Sequence, residues 1–203
     1  MSVAIVDYEA GNLKSVETAL LALGARIVIS DRPEVLLQAD RLIFPGVGDA
    51  AAAMRVLKAR GLDQAIVQFV ASGRPVLGIC LGSQIVLDAS EENGAVCLGL
   101  VAGIARRFAP DSGLKIPHMG WNQVEPTADH YLFSGIPSDT SFYFVHSYYP
   151  QPQDSAAVIG CTDYGVRFPS ALCRDNLAAV QFHPEKSGRY GLRMLQNFLQ
   201  YRA

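Results

Sequence analysis

The sequence predicts an α/β fold: an open, mostly parallel sheet flanked by helices, with an additional antiparallel or mixed strand region in the C-terminal half. Three observations carry this. Apolar residues alternate between strand-like runs and helical spacing through the first ninety residues; the runs are apolar on both faces; and from about Val101 aromatic and β-branched residues replace that rhythm.

Val3 to Val6 is a short apolar strand bounded by Asp7 and the Gly11-Asn12 turn signal. Leu13, Val16, Leu20 and Leu23 then recur at three- and four-residue spacing, and Gly24 stands where a left-handed helix stop belongs. Arg26 to Ile29 reads as a second strand, and Asp31 with Pro33 opens a short helix. Leu42 to Phe44 is a third strand running into Pro45-Gly46-Val47-Gly48, after which Ala50 to Arg60 is alanine-rich and helical. Leu62, Ile66, Phe69 and Val70 give a further helix face ended by Gly73, and Pro75 to Ile79 is a strand buried on both faces. Strands alternating with helices imply right-handed crossovers and a parallel sheet. Trp121, Phe142, Tyr143, Phe144, Tyr148 and Tyr149 mark the antiparallel or mixed region. Leu177 to Phe182 is a last strand, and Leu192, Leu195, Phe198 and Leu199 share one face of a closing helix. With no repeat, linker or low-complexity tract, residues 1–203 read as a single domain.

Composition narrows the function. Seventeen Lys plus Arg against nineteen Asp plus Glu gives a net charge of −2, without the basic footprint of a nucleic-acid binder. No apolar stretch approaches the roughly 18 residues of a membrane-spanning helix, and the N-terminus meets Asp7 too soon for a signal peptide, so a cytoplasmic location is expected. Cys80, Cys97, Cys161 and Cys173 are scattered without a CxxC pair, so no metal or disulfide framework is expected and any functional cysteine acts alone. No cofactor motif appears.

Gly78, Cys80 and Gly82 form Gly-x-Cys-x-Gly between a predicted strand and a predicted helix, the pattern of a nucleophile elbow. Small flanking residues permit a sharp turn that presents the central side chain in a strained, exposed conformation. At a helix N-terminus the dipole favours the reactive thiolate of Cys80. A base is needed, and the chain offers His118, His130, His146 and His183. His183 follows the last strand with Glu185 two residues on; if the backbone stays extended through Pro184, the carboxylate and the imidazole project to one side and Glu185 can hold His183. An oxyanion needs backbone donors, and Leu81 with the Pro45-Gly46-Val47-Gly48 loop, both at the carboxyl edge of the sheet, are the candidates.

Taken in order, PGVG, GICLGSQ and QFHPE resemble the triad-type class I glutamine amidotransferase family over essentially the full length. DYEAGN, IPHMGWN, YFVHSYY and QFHPEKSG are similar, more narrowly, to the branch serving as glutaminase subunits of imidazole glycerol phosphate synthases in histidine biosynthesis. The resemblance implies a flavodoxin-like sheet and a catalytic triad of Cys80, His183 and Glu185. It places Val47, Gly48 and Leu81 at the oxyanion, and Gln84, Glu92, His146, Ser147 and Tyr148 around L-glutamine. It also implies a heterodimer with a (β/α)8-barrel cyclase subunit that receives the ammonia, contacted through Asn12, Trp121, Tyr143 and Lys186. Glu92 and Lys186 also read as solvated surface charges, and Trp121, the only tryptophan, also reads as core. Two departures stand out. Glu9 occupies a position where the family generally has glycine, which points to a different backbone conformation in the first turn; Ser83 replaces the usual methionine beside the elbow. The alternatives are a glutaminase serving another synthase and a non-catalytic binding module on the same fold.

Overall fold

The computed structural model describes residues 2–11, 13–110 and 113–202. In chain order the regular elements begin β1 (Ser2–Val6), α1 (Leu13–Ala22), β2 (Arg26–Ser30), α2 (Pro33–Leu36), β3 (Arg41–Gly46), α3 (Ala50–Ala59), α4 (Leu62–Ala71), β4 (Val76–Cys80) and α5 (Leu81–Ile85). The C-terminal half adds β5 (Ala89–Ser90), β6 (Ala95–Val96), β7 (Gly103–Arg107), β8 (His118–Gln123), β9 (Glu125–Pro126), β10 (Ser141–His146), β11 (Tyr148–Pro152), β12 (Val158–Asp163), β13 (Arg167–Arg174) and β14 (Leu177–Val180), and then α6 (Gly188–Gln200). An eight-stranded sheet runs β2-β1-β3-β4-β14-β13-β12-β9. The pairs among β2, β1, β3, β4 and β14 are parallel and those from β14 through β9 antiparallel. The parallel part has the doubly wound order whose binding crevices open at the carboxyl ends of its strands. Two smaller sheets, β11-β7-β5-β6 and the β10-β8 ribbon, build the mixed region over that edge.

The apolar runs form strands because both faces are covered. Along β1, Val3 and Ile5 pack into a core with Val16 and Leu20 of α1 and Met194, Leu195 and Phe198 of α6, whereas Ala4 and Val6 enter a second core with Met54, Leu57, Ile66 and Phe69 of α3 and α4. Each of the larger side chains, fully buried, contributes about 1.5–3 kcal/mol. Asp49 caps α3, its Oδ1 accepting from the Ala52 amide at 2.6 Å, and Gly24 takes φ +74° after α1.

Two expectations are corrected. β3 continues through Pro45 and Gly46, so only Val47 and Gly48 leave the ladder as a loop; Gly46 still pairs with Cys80 of β4. β14 ends at Val180: the Gln181 amide still reaches the Ser170 carbonyl of β13 at 2.9 Å, but the amide of His183 bonds the carbonyl of Tyr143 in β10 at 2.8 Å, outside the large sheet. Glu9 itself adopts φ +64°, a conformation that favours glycine, with its amide donating to Asp7 Oδ1 at 3.2 Å and its carboxylate paired with Arg60. Asn12 lies outside the described residues.

Candidate active site

The strand-to-helix turn after β4 is the sharpest feature of the sheet's carboxyl edge. Cys80 has φ 55° and ψ −107°, outside the regions open to ordinary L-residues. The two glycines of Gly-x-Cys-x-Gly are required by close approach. A Cβ on Gly82 would lie 2.2 Å from the Phe44 carbonyl oxygen, and one on Gly78 would lie 2.9 Å from that of Gly82. The elbow is thus clamped against β3, and packing sustains the strain at Cys80. The thiol is 5% exposed, so it is presented to a cavity and not to bulk water as the motif suggested. The following α5 is five residues long, which limits the dipole expected to favour the thiolate.

That cavity, about 360 Å³, is lined by Val47, Gly48, Cys80, Leu81, Gln84, Glu92, Pro117, Val145, His146, Ser147 and Tyr148. The structure therefore gathers the nucleophile candidate and every residue assigned to the oxyanion or to glutamine, from the loop after β3, the elbow, the segment after β5 and the β10–β11 turn. A larger concavity, about 670 Å³, opens at the opposite edge of the sheet around Arg41, Arg74 and Asn176 and holds no nucleophile. Glu92 is more than a solvated loop carboxylate: its Oε2 accepts from the Ala50 amide at the start of α3 at 2.7 Å, and burial raises its pKa against that bond.

His183 and Glu185 stand behind Cys80. His183 is 1% exposed and its Nδ1 lies 2.7 Å from Glu185 Oε1, whose side chain is fully buried. The pairing is not made by an extended backbone. Residues Pro184–Lys186 form a 3₁₀ turn that folds the carboxylate back onto the ring, and Ser187 ties the turn down by donating its hydroxyl to the His183 carbonyl at 2.6 Å. Burial disfavours the imidazolium, but hydrogen bonds and charge from Cys80 and Glu185 outweigh it and push the pKa of His183 up to about 9. With Nδ1 on Glu185, contact with the sulfur falls to Nε2, which makes no fully formed hydrogen bond among the described residues.

The oxyanion donors are not all in place. The Val47 amide donates to the Ala10 carbonyl at 2.8 Å, so its N–H is turned away from the nucleophile, while Gly48 at φ +107° keeps the next peptide in a conformation that favours glycine. Leu81 follows Cys80 directly at the start of α5, where first-turn amides have no intrahelical partner.

Trp121 is 59% exposed, which removes the core reading. It stands opposite Tyr143 across the β8–β10 ribbon, ring centroids 6.2 Å apart, with Met119 exposed on the same strand. Tyr143 adjoins the 183–187 turn, its amide bonding Ser187 Oγ at 2.9 Å, and Lys186 is exposed on that turn. Cys80, His183 and this open ribbon thus share one edge of the molecule.

A family model described as glutamine amidotransferase class-I matches residues 4–201. The chain belongs to the class I glutamine amidotransferases. Among curated relatives, the protein of Dehalococcoides mccartyi strain CBDB1 named imidazole glycerol phosphate synthase subunit HisH is 50% identical over 199 residues, 98% of this chain and 96% of its own. The protein of the same name from Nitrosococcus oceani is 49% identical over 204 residues, covering 98% and 97%. The solved structure titled PurLQS from Thermotoga maritima superposes with a TM-score of 0.77 at 19% identity, covering 98% of each chain, a likeness of fold.

Within this class I amidotransferase, the sequence reading missed two groups that the fold brings to the sulfur. Gln181 Nε2 lies 3.7 Å from Cys80 Sγ, and Val145 offers its carbonyl at 3.8 Å. Strand alternation could have pointed to Gln181, which stands two residues before His183. Nothing in the sequence points to Val145, because its carbonyl arrives by strand packing from β10. His118 was one of four candidate bases; it is buried in β8, its Nδ1 2.9 Å from His146 Nε2 and its ring stacked on Tyr164 and Phe144. Ser83 uses its hydroxyl inside the elbow, donating to the Cys80 carbonyl at 2.7 Å.

Proposed function

We propose that the protein is the glutaminase subunit of an imidazole glycerol phosphate synthase, hydrolysing L-glutamine to glutamate and ammonia. The observation that carries this reading is one cavity in which a strained cysteine, backed by a buried histidine–carboxylate pair, meets all the residues assigned to glutamine. Relatives about 50% identical over nearly their full length, named as that subunit, support the choice of synthase.

In the proposed mechanism His183 Nε2 carries the proton given up by Cys80, and the thiolate attacks the carboxamide carbon of glutamine. The oxyanion of the tetrahedral intermediate is met by the Leu81 amide and by a second donor from Val47 or Gly48. Collapse expels ammonia carrying the proton returned by His183, leaving a Cys80 thioester. Water, deprotonated by the same imidazole, attacks the thioester; glutamate leaves and the thiol is restored. Glu185 orients the ring and stabilises its cation. Gln84, Glu92, His146, Ser147 and Tyr148 line the space for the amino-acid end of the substrate.

Ammonia then passes to a (β/α)8-barrel cyclase subunit, docked on the edge formed by Trp121, Tyr143 and Lys186, which makes imidazole glycerol phosphate and aminoimidazole carboxamide ribotide. The location proposed with this activity is the cytoplasm. The decisive experiment measures glutamate formation by the protein alone and with a purified cyclase subunit, with and without its nucleotide acceptor. Stimulation by cyclase plus acceptor that disappears in Cys80→Ala supports the reading; full activity in Cys80→Ala, or stimulation by a different synthase in place of the cyclase, overturns it.

A further inference from the structure

Gln181 is fully buried beside the nucleophile, just past the end of β14, and the triad leaves it without a role. Its orientation can be argued, because a carboxamide's nitrogen and oxygen are told apart by what they bond. A backbone carbonyl only accepts. The Tyr148 carbonyl has two contacts, His146 Nδ1 at 2.7 Å and Gln84 Nε2 at 2.9 Å, so both nitrogens carry hydrogen toward it. The Gln84 amide is thereby fixed, and its second N–H points to the Gln181 atom 3.0 Å away, which must be the acceptor Oε1. The Gln181 nitrogen therefore faces Cys80 Sγ at 3.7 Å, within range for a bond to sulfur.

The chain also closes in the other direction. With hydrogen on Nδ1, His146 accepts at Nε2 from His118 Nδ1 at 2.9 Å, and His118 Nε2 accepts from Asn122 Nδ2 at 3.2 Å. The second Asn122 hydrogen goes to the Asp163 carbonyl at 2.9 Å. Every donor from Gln84 to Asn122 meets an acceptor, the Tyr148 carbonyl serving two of them, and both rings are neutral. Ser83 does not interfere, since its single proton serves the Cys80 carbonyl at 2.7 Å, while its contact with Gln181 Oε1 is 3.4 Å.

We propose that Gln181 is a further catalytic residue, its carboxamide N–H holding and aiming the Cys80 thiolate, with Gln84, His146 and His118 as positioning residues that fix that amide. The inference rests on Cys80 being the nucleophile. An N–H bond to an anion is stronger than one to a neutral thiol, so a buried donor favours the thiolate where water cannot. The Val145 carbonyl, 3.8 Å from Sγ, serves the thiol form instead, accepting a hydrogen bond from the S–H.

The test is the pH dependence of iodoacetamide modification at Cys80, followed by peptide mass spectrometry on the full-length protein, alongside kcat and KM for glutamine with its cyclase. Gln181→Glu keeps the shape and the acceptor for Gln84 but replaces the neutral N–H donor by a carboxyl group whose charge also opposes the thiolate, whereas Gln181→Met removes the donor and adds no charge. We expect the modification midpoint to rise by about one pH unit and kcat to fall about 10- to 100-fold, with KM within about twofold. Gln181→Met shifts the midpoint the same way by less. A merely structural role lowers the unfolding temperature and leaves the midpoint in place; that result in Gln181→Met, which introduces no charge, overturns the proposal. If neither variant folds, the side-chain amide resonances of Gln181 in the unmutated protein decide: they titrate together with Cys80, or, if pH-independent, refute the bond. Wild-type protein that keeps its glutaminase activity after Cys80 is alkylated removes the nucleophile reading and this inference with it. Loss of activity with an unmoved midpoint removes the inference alone.

Discussion

The Val47 amide and the Ala10 carbonyl are joined by a 2.8 Å hydrogen bond that points a prospective oxyanion donor away from Cys80. The N–H belongs to the Gly46–Val47 peptide, so recruiting it to an oxyanion requires that peptide to turn and the bond to Ala10 to break. One missing oxyanion donor costs about 10²–10³ in kcat. We expect the isolated chain to hydrolyse glutamine at least about 100-fold more slowly than with cyclase and acceptor bound. Gly48→Ala, placing a side chain at φ +107°, should change basal and stimulated rates unequally. Steady-state glutamate release checks both, and an unaltered ratio in Gly48→Ala would rule out a moving loop.

Within the triad, Cys80→Ala should abolish turnover, and Glu185→Gln should lower kcat by about 10³-fold, since the neutral amide neither fixes the His183 tautomer nor stabilises its cation. Single-turnover thioester formation separates the two variants, because Glu185→Gln still acylates, slowly.

The elbow should be intolerant of a methyl group. Gly82→Ala drives a Cβ to 2.2 Å from the Phe44 carbonyl, a backbone atom that cannot move without breaking the β3–β4 ladder. A loss of more than about 3 kcal/mol in denaturant unfolding, or no folded protein, is expected.

Two sets of histidines shape stability in opposite directions. The pKa of His183 is raised to about 9, so its contribution is complete below about pH 6.5 and is lost as pH rises through 9. Burial pushes His118 down to about 4 and His146, which also faces His118 and His183 and is partly offset by its bond to Tyr148, down to about 3. Both are held neutral, so their contribution is present above about pH 6.5 and falls away in acid, by up to about 1.4 kcal/mol per pH unit for each proton taken up. Denaturant midpoints near pH 4.5, 6.5 and 8.5 should peak at the middle value. Glu185→Gln should flatten the alkaline limb and leave the acid limb.

Truncating Trp121 to Ala removes the large exposed ring opposite Tyr143 and should weaken cyclase binding by about 2 kcal/mol or more, roughly 30-fold in Kd. Calorimetric titration measures it, with circular dichroism confirming an intact fold.

The doubly wound sheet and the elbow could be read from the sequence because both are written in neighbouring residues. Strand runs, helical spacing and a Gly-x-Cys-x-Gly turn depend on local dihedral limits and on which faces are apolar. Resemblance of short strings carried the glutamine-lining set, and the fold gathers that set around one cavity.

What the sequence by itself determined is thus the order of elements, the residue most able to serve as nucleophile, and the HPE motif behind it. The tertiary structure decided the rest. It took the 3₁₀ turn at 184–186 to bring Glu185 onto His183, and β8–β10 pairing to bury His118 against His146 while leaving Trp121 open. Register across the sheet aimed the Gln181 amide at a sulfur 101 residues away. It also engaged the Val47 amide with Ala10. The physical reason is that a hydrogen-bond partner is chosen by distance and direction, which arise only when strands remote in sequence pack together, whereas dihedral preference and amphipathic spacing act within a few residues.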